Sequence, residues 1–105
     1  MIIVNIDYIP GKKIEILGMA RGATIQSKNL GKDIMSGFKT LVGGELTQYS
    51  EMMNEARAKA TKRMVDDAER QGADAVINVR YASSAVMQGA AEVMAYGTAV
   101  KLHDE

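Results

Sequence analysis

EVMAYGTAVKL, Glu92 to Leu102, sets Val93, Ala95, Gly97 and Ala99 on one side of an extended strand and Met94, Tyr96, Thr98, Val100 and Leu102 on the other. The first side is built of small residues, so a helix can lie close against it. The second side is still apolar and needs cover of its own, because apolar area left in water costs about 25 cal/mol per Å². A lone two-layer domain leaves that second side wet. Packing against another copy of the chain removes the cost.

Working back from this strand, the helix that suits its small side spans Gln48 to Gln71. Tyr49, Met53, Ala56, Ala60, Met64 and Ala68 recur there at intervals of three and four. Glu55–Lys59 and Asp66–Arg70 are favourable i,i+4 pairs on the polar side. Thr47 is placed to cap the first turn, and Gly72 to end the last. Between this helix and the final strand, DAVINVRY predicts another strand, with Ala75, Ile77, Val79 and Tyr81 facing opposite to Val76, Asn78, Arg80 and Ala82. SSAVMQGAAE then reads as a loop.

The amino-terminal part supplies two more extended runs. Ile2, Val4, Ile6 and Tyr8 alternate with Ile3, Asn5, Asp7 and Ile9, and Pro10-Gly11 provides turn chemistry. A second strand follows from Ile14 to Ile25, in which Gly18 and Gly22 mark a bulge, a bend or a close backbone approach. The two runs predict a hairpin. Leu30, Ile34, Phe38 and Leu41/Val42 space out a short helix weakened by Gly31 and Ser36-Gly37. The order strand, strand, short helix, long helix, strand, strand predicts one α+β domain over residues 1–102, an antiparallel sheet packed on two helices, with 103–105 as a frayed tail.

Composition narrows the function classes. The 105 residues carry 13 basic and 13 acidic side chains, no Cys, one His and no Trp. A balanced charge without a basic stripe argues against nucleic acid. Absent thiols rule out disulfides and Cys-based zinc sites and suit a reducing cytoplasm. The start lacks the basic region and apolar run of a signal peptide, and no apolar run approaches the roughly 20 residues needed to span a bilayer. The expectation is a soluble cytoplasmic protein without a membrane partner.

Taken in order, LVGG with a tyrosine entering the long helix, then GADAVINV, then MAYGTAVKL, resemble the YbjQ-like family. These are small bacterial and archaeal proteins of unknown function, sometimes labelled heavy-metal-binding. The likeness runs from Ile2 to Leu102. It implies a dodecin-like subunit and a ring-shaped homopentamer, so the chain's expected partner is itself. It implies a metal ion only through that label. Glu45 departs from the family, which usually has a basic residue after the double glycine.

The double glycine admits two readings. It is a joint between two helices packed at a subunit interface, or it is the wall of a ligand site made of Gly43, Gly44, Glu45 and Tyr49. For a metal, His103 stands alone, and Asp66, Asp67 and Glu69 point in different directions on a helix. In a ring, one acid per subunit becomes five converging carboxylates, and Asp7, Glu15, Glu45 and Glu92 are the candidates. No catalytic constellation is present, and Tyr8, Tyr49, Tyr81 and Tyr96 read as core or interface before they read as acids. The sequence therefore predicts a non-enzymatic homo-oligomer that binds a small molecule or ion at subunit junctions or on the ring axis. An adaptor that recruits another protein is the alternative, and an enzyme assembled across interfaces ranks last.

Overall fold

The structure, a computed structural model, describes residues 1–27 and 44–105, with side chains from residue 47 onward in the second part. The expected short helix and Gly43 lie outside the described residues. The described elements are β1 (Ile2–Ile3), β2 (Lys12–Ser27), α1 (Gly44–Arg70), β3 (Ala75–Met87) and β4 (Ala90–Asp104). The strands form one sheet in the order β1-β3-β4-β2, in which β1 runs parallel to β3 and the other pairs are antiparallel. The sheet is therefore mixed rather than antiparallel throughout.

The small side of β4 behaves as its composition demands. Val93, Ala95 and Ala99 are buried with Ala20 of β2 against Ala56, Ala60, Met64 and Ala68 of α1. At the start of α1 the buried methionine is Met52, while Met53 is only half-buried and Tyr49 is exposed. The stripe thus follows a strict four-residue ridge. Gly22 explains how close the layers come. A Cβ there would overlap the Met64 amide nitrogen and the Ala60 carbonyl, and would sit 2.6 Å from Arg63 Cβ. Gly18 marks the bulge, where the pairing with β4 slips between Ile16 and Gly18 at a φ of 152°.

Helix α1 starts earlier than expected, so Thr47 is already helical instead of capping it. It ends as expected. Gly72 has φ 81°, its N–H donates to the Glu69 carbonyl, and the Ala73 N–H donates to the Ala68 carbonyl. These are the paired bonds of a Schellman stop. On the polar side the expected pairings are replaced: Asp66 pairs with Lys62 at 3.2 Å, Arg70 with Asp67 at 3.4 Å, and Lys59 and Glu55 both reach Gln26 on β2.

The first run does not form a hairpin with β2. Only Ile2 and Ile3 pair as a strand, and they pair with Ala75 and Val76 at the opposite edge of the sheet. The chain then crosses the sheet's outer face, where Val4 and Ile9 pack with Ile14 and Leu102 over Ala75, Ile77 and Val100. The Pro10-Gly11 turn is present, with the Lys12 N–H donating to the Ile9 carbonyl at 3.1 Å, yet two strands separate the elements it joins. Alternation in the first nine residues therefore reflects this crossing, not a strand with two clean faces.

Two other expectations change at β3. Its alternation breaks at Asn78, which has φ 53°, and the pairing with β4 skips from Ile77 to Arg80. Gly97 faces this bulge, where a Cβ would come within 2.8 Å of the Ile77 carbonyl and 2.7 Å of Val76 Cγ1. The bulge turns the Asn78 and Val79 N–H groups toward the amino-terminal segment, to Ile6 and Val4 carbonyls at 2.9 and 3.0 Å. Beyond it, the segment read as a loop is the arm of a long β3–β4 hairpin, closed at Gln88-Gly89 with Gly89 at φ 77°. The tail expected to fray also belongs to the sheet as far as Asp104. His103 Nε2 meets Glu15 Oε1 at 2.8 Å, and Lys12 Nζ meets Asp104 at 2.5 Å.

The two edges of the sheet end differently. Along β2, Arg63 donates to the Ala23 carbonyl at 2.6 Å, Asp67 accepts the Arg21 N–H at 3.0 Å, and Gln71 donates to the Met19 carbonyl at 2.8 Å. Three side chains at four-residue spacing, two on α1 and Gln71 just past its end, thus occupy three edge groups at two-residue spacing. Along β3, the amino-terminal segment follows the edge only to Val79, and the arm from Tyr81 to Met87 is exposed along its whole length.

Candidate functional site

Tyr81 lies at the place where three elements part. Helix α1 lies over β2 and β4 and reaches β3 only at its margin, so the helix side of β3 is incompletely roofed. The Tyr81 hydroxyl is 2.8 Å from Thr61 Oγ1 of α1, which itself donates to the Arg57 carbonyl at 2.7 Å. Two hollows meet at this ring. A trough of about 510 Å³ is lined by Ile3, Val4, Asn5, Ile6, Val79 and Tyr81. A smaller recess of about 100 Å³ lies between α1 and the hairpin, among Met53, Arg57, Tyr81, Ala82, Ser83 and Val93.

The trough has the volume of a small-molecule site, which typically measures about 300–1,000 Å³. Its lining is largely aliphatic, with Asn5 and the tyrosine as its polar side chains. The recess adds Arg57 and Ser83. Such an arrangement favours a ligand with an apolar body and a polar or anionic end. Among the described residues, neither lining contains a carboxylate or an imidazole.

Of the residues expected to bind ligand, Gly44 is the first residue of α1, Glu45 belongs to its first turn and Tyr49 is exposed on its second. Tyr49 is not among the described residues that line the two hollows. By sequence alone Tyr81 reads as an interface or core residue. Only the bulge at Asn78, which shifts Tyr81 onto the helix side of the sheet, gives it this position. An asparagine between the β-branched Ile77 and Val79, facing a glycine on the neighbouring strand, was the available signal.

The outer face carries a second feature. Ile16, Met19 and Ile25 of β2 are 71, 64 and 63% exposed. Met94, Tyr96 and Thr98 of β4 are half-buried beside them, in register Met19↔Thr98, Arg21↔Tyr96 and Ala23↔Met94. The crossing amino-terminal segment covers only the Val100 end of this face. Among the described residues, no helix is long and apolar enough to cross a membrane.

Comparison with known proteins shows the family and the fold. Residues 1–103 match the family model YbjQ_1, described as "Putative heavy-metal-binding". A UPF0145 protein of Alkaliphilus metalliredigens is 73% identical over 101 residues, covering 96% of this chain and 98% of that protein. A UPF0145 protein of Methanosarcina acetivorans is 66% identical over 103 residues, covering 97% of each. A crystal structure of a DUF74-family protein of unknown function from Pediococcus pentosaceus superimposes with a TM-score of 0.65 at 16% identity, covering 98% of both chains. That likeness extends to the fold alone.

The metal named in the family description can be tested against the donors present. Among the described residues, no three of His, Cys, Asp and Glu converge. His103 and Glu15 make one imidazole–carboxylate contact, but their register partners across the strands are Lys13 and Lys101. Two ammonium groups on the same face oppose a cation there. The described residues of one copy do not supply a transition-metal site.

Proposed function

The chain belongs to the YbjQ_1 family, and from that premise we propose that it is a non-enzymatic, cytoplasmic homopentamer, a dodecin-like ring that binds a small ligand where subunits meet. The observation that carries the reading is the outer face, with Ile16, Met19 and Ile25 exposed beside Met94 and Tyr96. The molecule's proportions support it. The radius of gyration is 17.5 Å, whereas a compact domain of this length has about 13 Å. A subunit so thin gains its missing burial from its neighbours.

Ligand capture follows from the same arrangement. The trough beside Tyr81 is open in one copy, and a neighbouring subunit placed over it makes an enclosed site. A metal, where one binds, draws its donors from several copies. Of the acids that a ring would gather, Glu15 is engaged with His103, Asp7 is exposed in the crossing segment, and the Glu45 side chain lies outside the described residues. Glu92 is half-buried on the outer face between Ile25 and Ser84, with no hydrogen bond or ion pair among the described residues. It is the carboxylate best placed to converge.

Native mass spectrometry of untagged protein tests the reading directly. Five copies with a retained small molecule are expected, and a stable monomer at micromolar concentration sinks the proposal. Elemental analysis separates the metal question: a chelator-resistant metal at one equivalent per pentamer, lost in Glu92→Gln, assigns the ion to the ring, and one equivalent per chain contradicts the donor count above.

A further inference from the structure

We infer that the outer edge of Tyr81–Met87 is a strand acceptor, filled by an extended segment from a second copy of this chain. Backbone direction establishes which groups are offered. On β2, the Met19 and Ala23 carbonyls and the Arg21 N–H point outward to α1, so Ala20, Gly22 and Thr24 point inward to Gly97, Ala95 and Val93. In an antiparallel ladder these directions alternate residue by residue. Met94, Tyr96 and Glu92 therefore bond to β3, through Ala82, Arg80 and Ser84. The N–H and C=O groups of Tyr81, Ser83 and Ala85 are left facing outward.

Nothing in the described part of the chain meets them. The amino-terminal segment bonds the edge at Val76, Asn78 and Val79 and goes no further. A row of outward amides and carbonyls on an exposed, uncharged arm is what an added strand pairs with. Both hollows flank Tyr81, one at each side of the slot.

The occupant is a second copy for two reasons on the molecule itself. The arm ends in exposed Val86 and Met87, and the same chain exposes Ile16, Met19 and Ile25, so one assembly contact gives apolar cover to both. The chain also keeps an unsealed strand end to donate. Its helix closes the β2 edge from Met19 to Ala23, and among the described residues the Lys12–Leu17 end has no such bonds. In a closed ring, donor and acceptor must be different edges, which this pairing satisfies.

The inference rests on the homo-oligomeric reading above, and the experiment separates the two. Wild-type protein, Ser83→Pro and Ala85→Lys are compared by sedimentation over a dilution series, and wild-type amide exchange is followed residue by residue. Proline at Ser83 removes an outward N–H and leaves the β4 ladder in place. The expected result is at least a tenfold rise in the half-assembly concentration for both variants. In assembled wild type, slow exchange is expected at Tyr81, Ser83 and Ala85, becoming fast on dilution. A wild-type monomer overturns the oligomer itself. An assembled wild type whose Ser83 and Ala85 amides exchange freely, or folded variants that assemble as wild type does, overturns the edge assignment alone.

Discussion

The β2 edge and the β3 edge are built from similar extended chain, but one is sealed from within and the other is left open. Along β2 the helix lies so close that three side chains on it and just past its end act as a substitute strand. Along β3 no helix side chain is seen to bond the edge backbone among the described residues, the amino-terminal segment leaves after Val79, and Tyr81 stands between two hollows. A bare edge invites unwanted pairing, and proteins normally block it. Blocking one edge while exposing the other directs association to a single place. In the assembly proposed above, the open arm is a feature of association rather than an unfinished part of the sheet.

The most severe way to break this contrast is Gly22→Ala. The added Cβ meets helix backbone, which cannot swing aside, so the layers must separate and the side chains of Arg63, Asp67 and Gln71 lose their reach. A loss of about 3 kcal/mol or more is expected in urea unfolding, above the usual range for overpacking. Asp67→Ala is milder. It strands the Arg21 N–H at the edge for about 1–2 kcal/mol and speeds exchange of that amide, whereas Arg70→Ala, which removes only an exposed pairing with Asp67, leaves exchange there unchanged.

On the open side, Tyr81→Phe removes only the bond to Thr61 from a half-exposed ring. Its effect on unfolding is expected to stay below about 1 kcal/mol. A larger loss would show that the arm is anchored to the helix more firmly than the sealed edge is.

The smallest effect concerns the far end of β2, beyond the sealed stretch. The hydrogen bond and then the charge of Asp104 hold the Lys12 ammonium above its ordinary value, and the same hydrogen bond and then the charge of Lys12 hold Asp104 below its own. A depressed carboxylate contributes above its unfolded value and is lost as pH falls through the folded one. A raised lysine contributes below its unfolded value and is lost as pH rises through the folded one. The clasp is therefore constant between about pH 5 and 9 and releases at both extremes. Both groups are fully exposed, so amide exchange at Lys13 and His103 registers the release while the melting temperature hardly moves.

What was legible in the sequence follows the helix-side packing. Ala56, Ala60, Met64 and Ala68, the small side of β4, the stop at Gly72 and the special roles of Gly18 and Gly22 all arise from local spacing or from residue size, and each is found in the fold. The misreadings have one physical source. Val4 and Ile9 are apolar because they cross the outer face, and a crossing segment leaves the same pattern as a strand. The Ser83–Met87 arm is exposed on both sides, so no buried face imposes alternation on it. The Tyr81 hollows depend on a bulge that shifts register by one residue, a change that composition does not announce.

The substitute strand on β2 has a limit set by two rulers. Four helical residues advance about 6.0 Å and two extended residues about 6.8 Å, so successive rungs drift apart by nearly 1 Å, like a vernier. Gln71, Asp67 and Arg63 stay within reach, but at the next position Lys59 takes the Gln26 side chain instead of an edge carbonyl, at 3.1 Å. A helix can therefore seal only about three rungs of a straight edge, and lengthening either element would add exposed edge rather than protection.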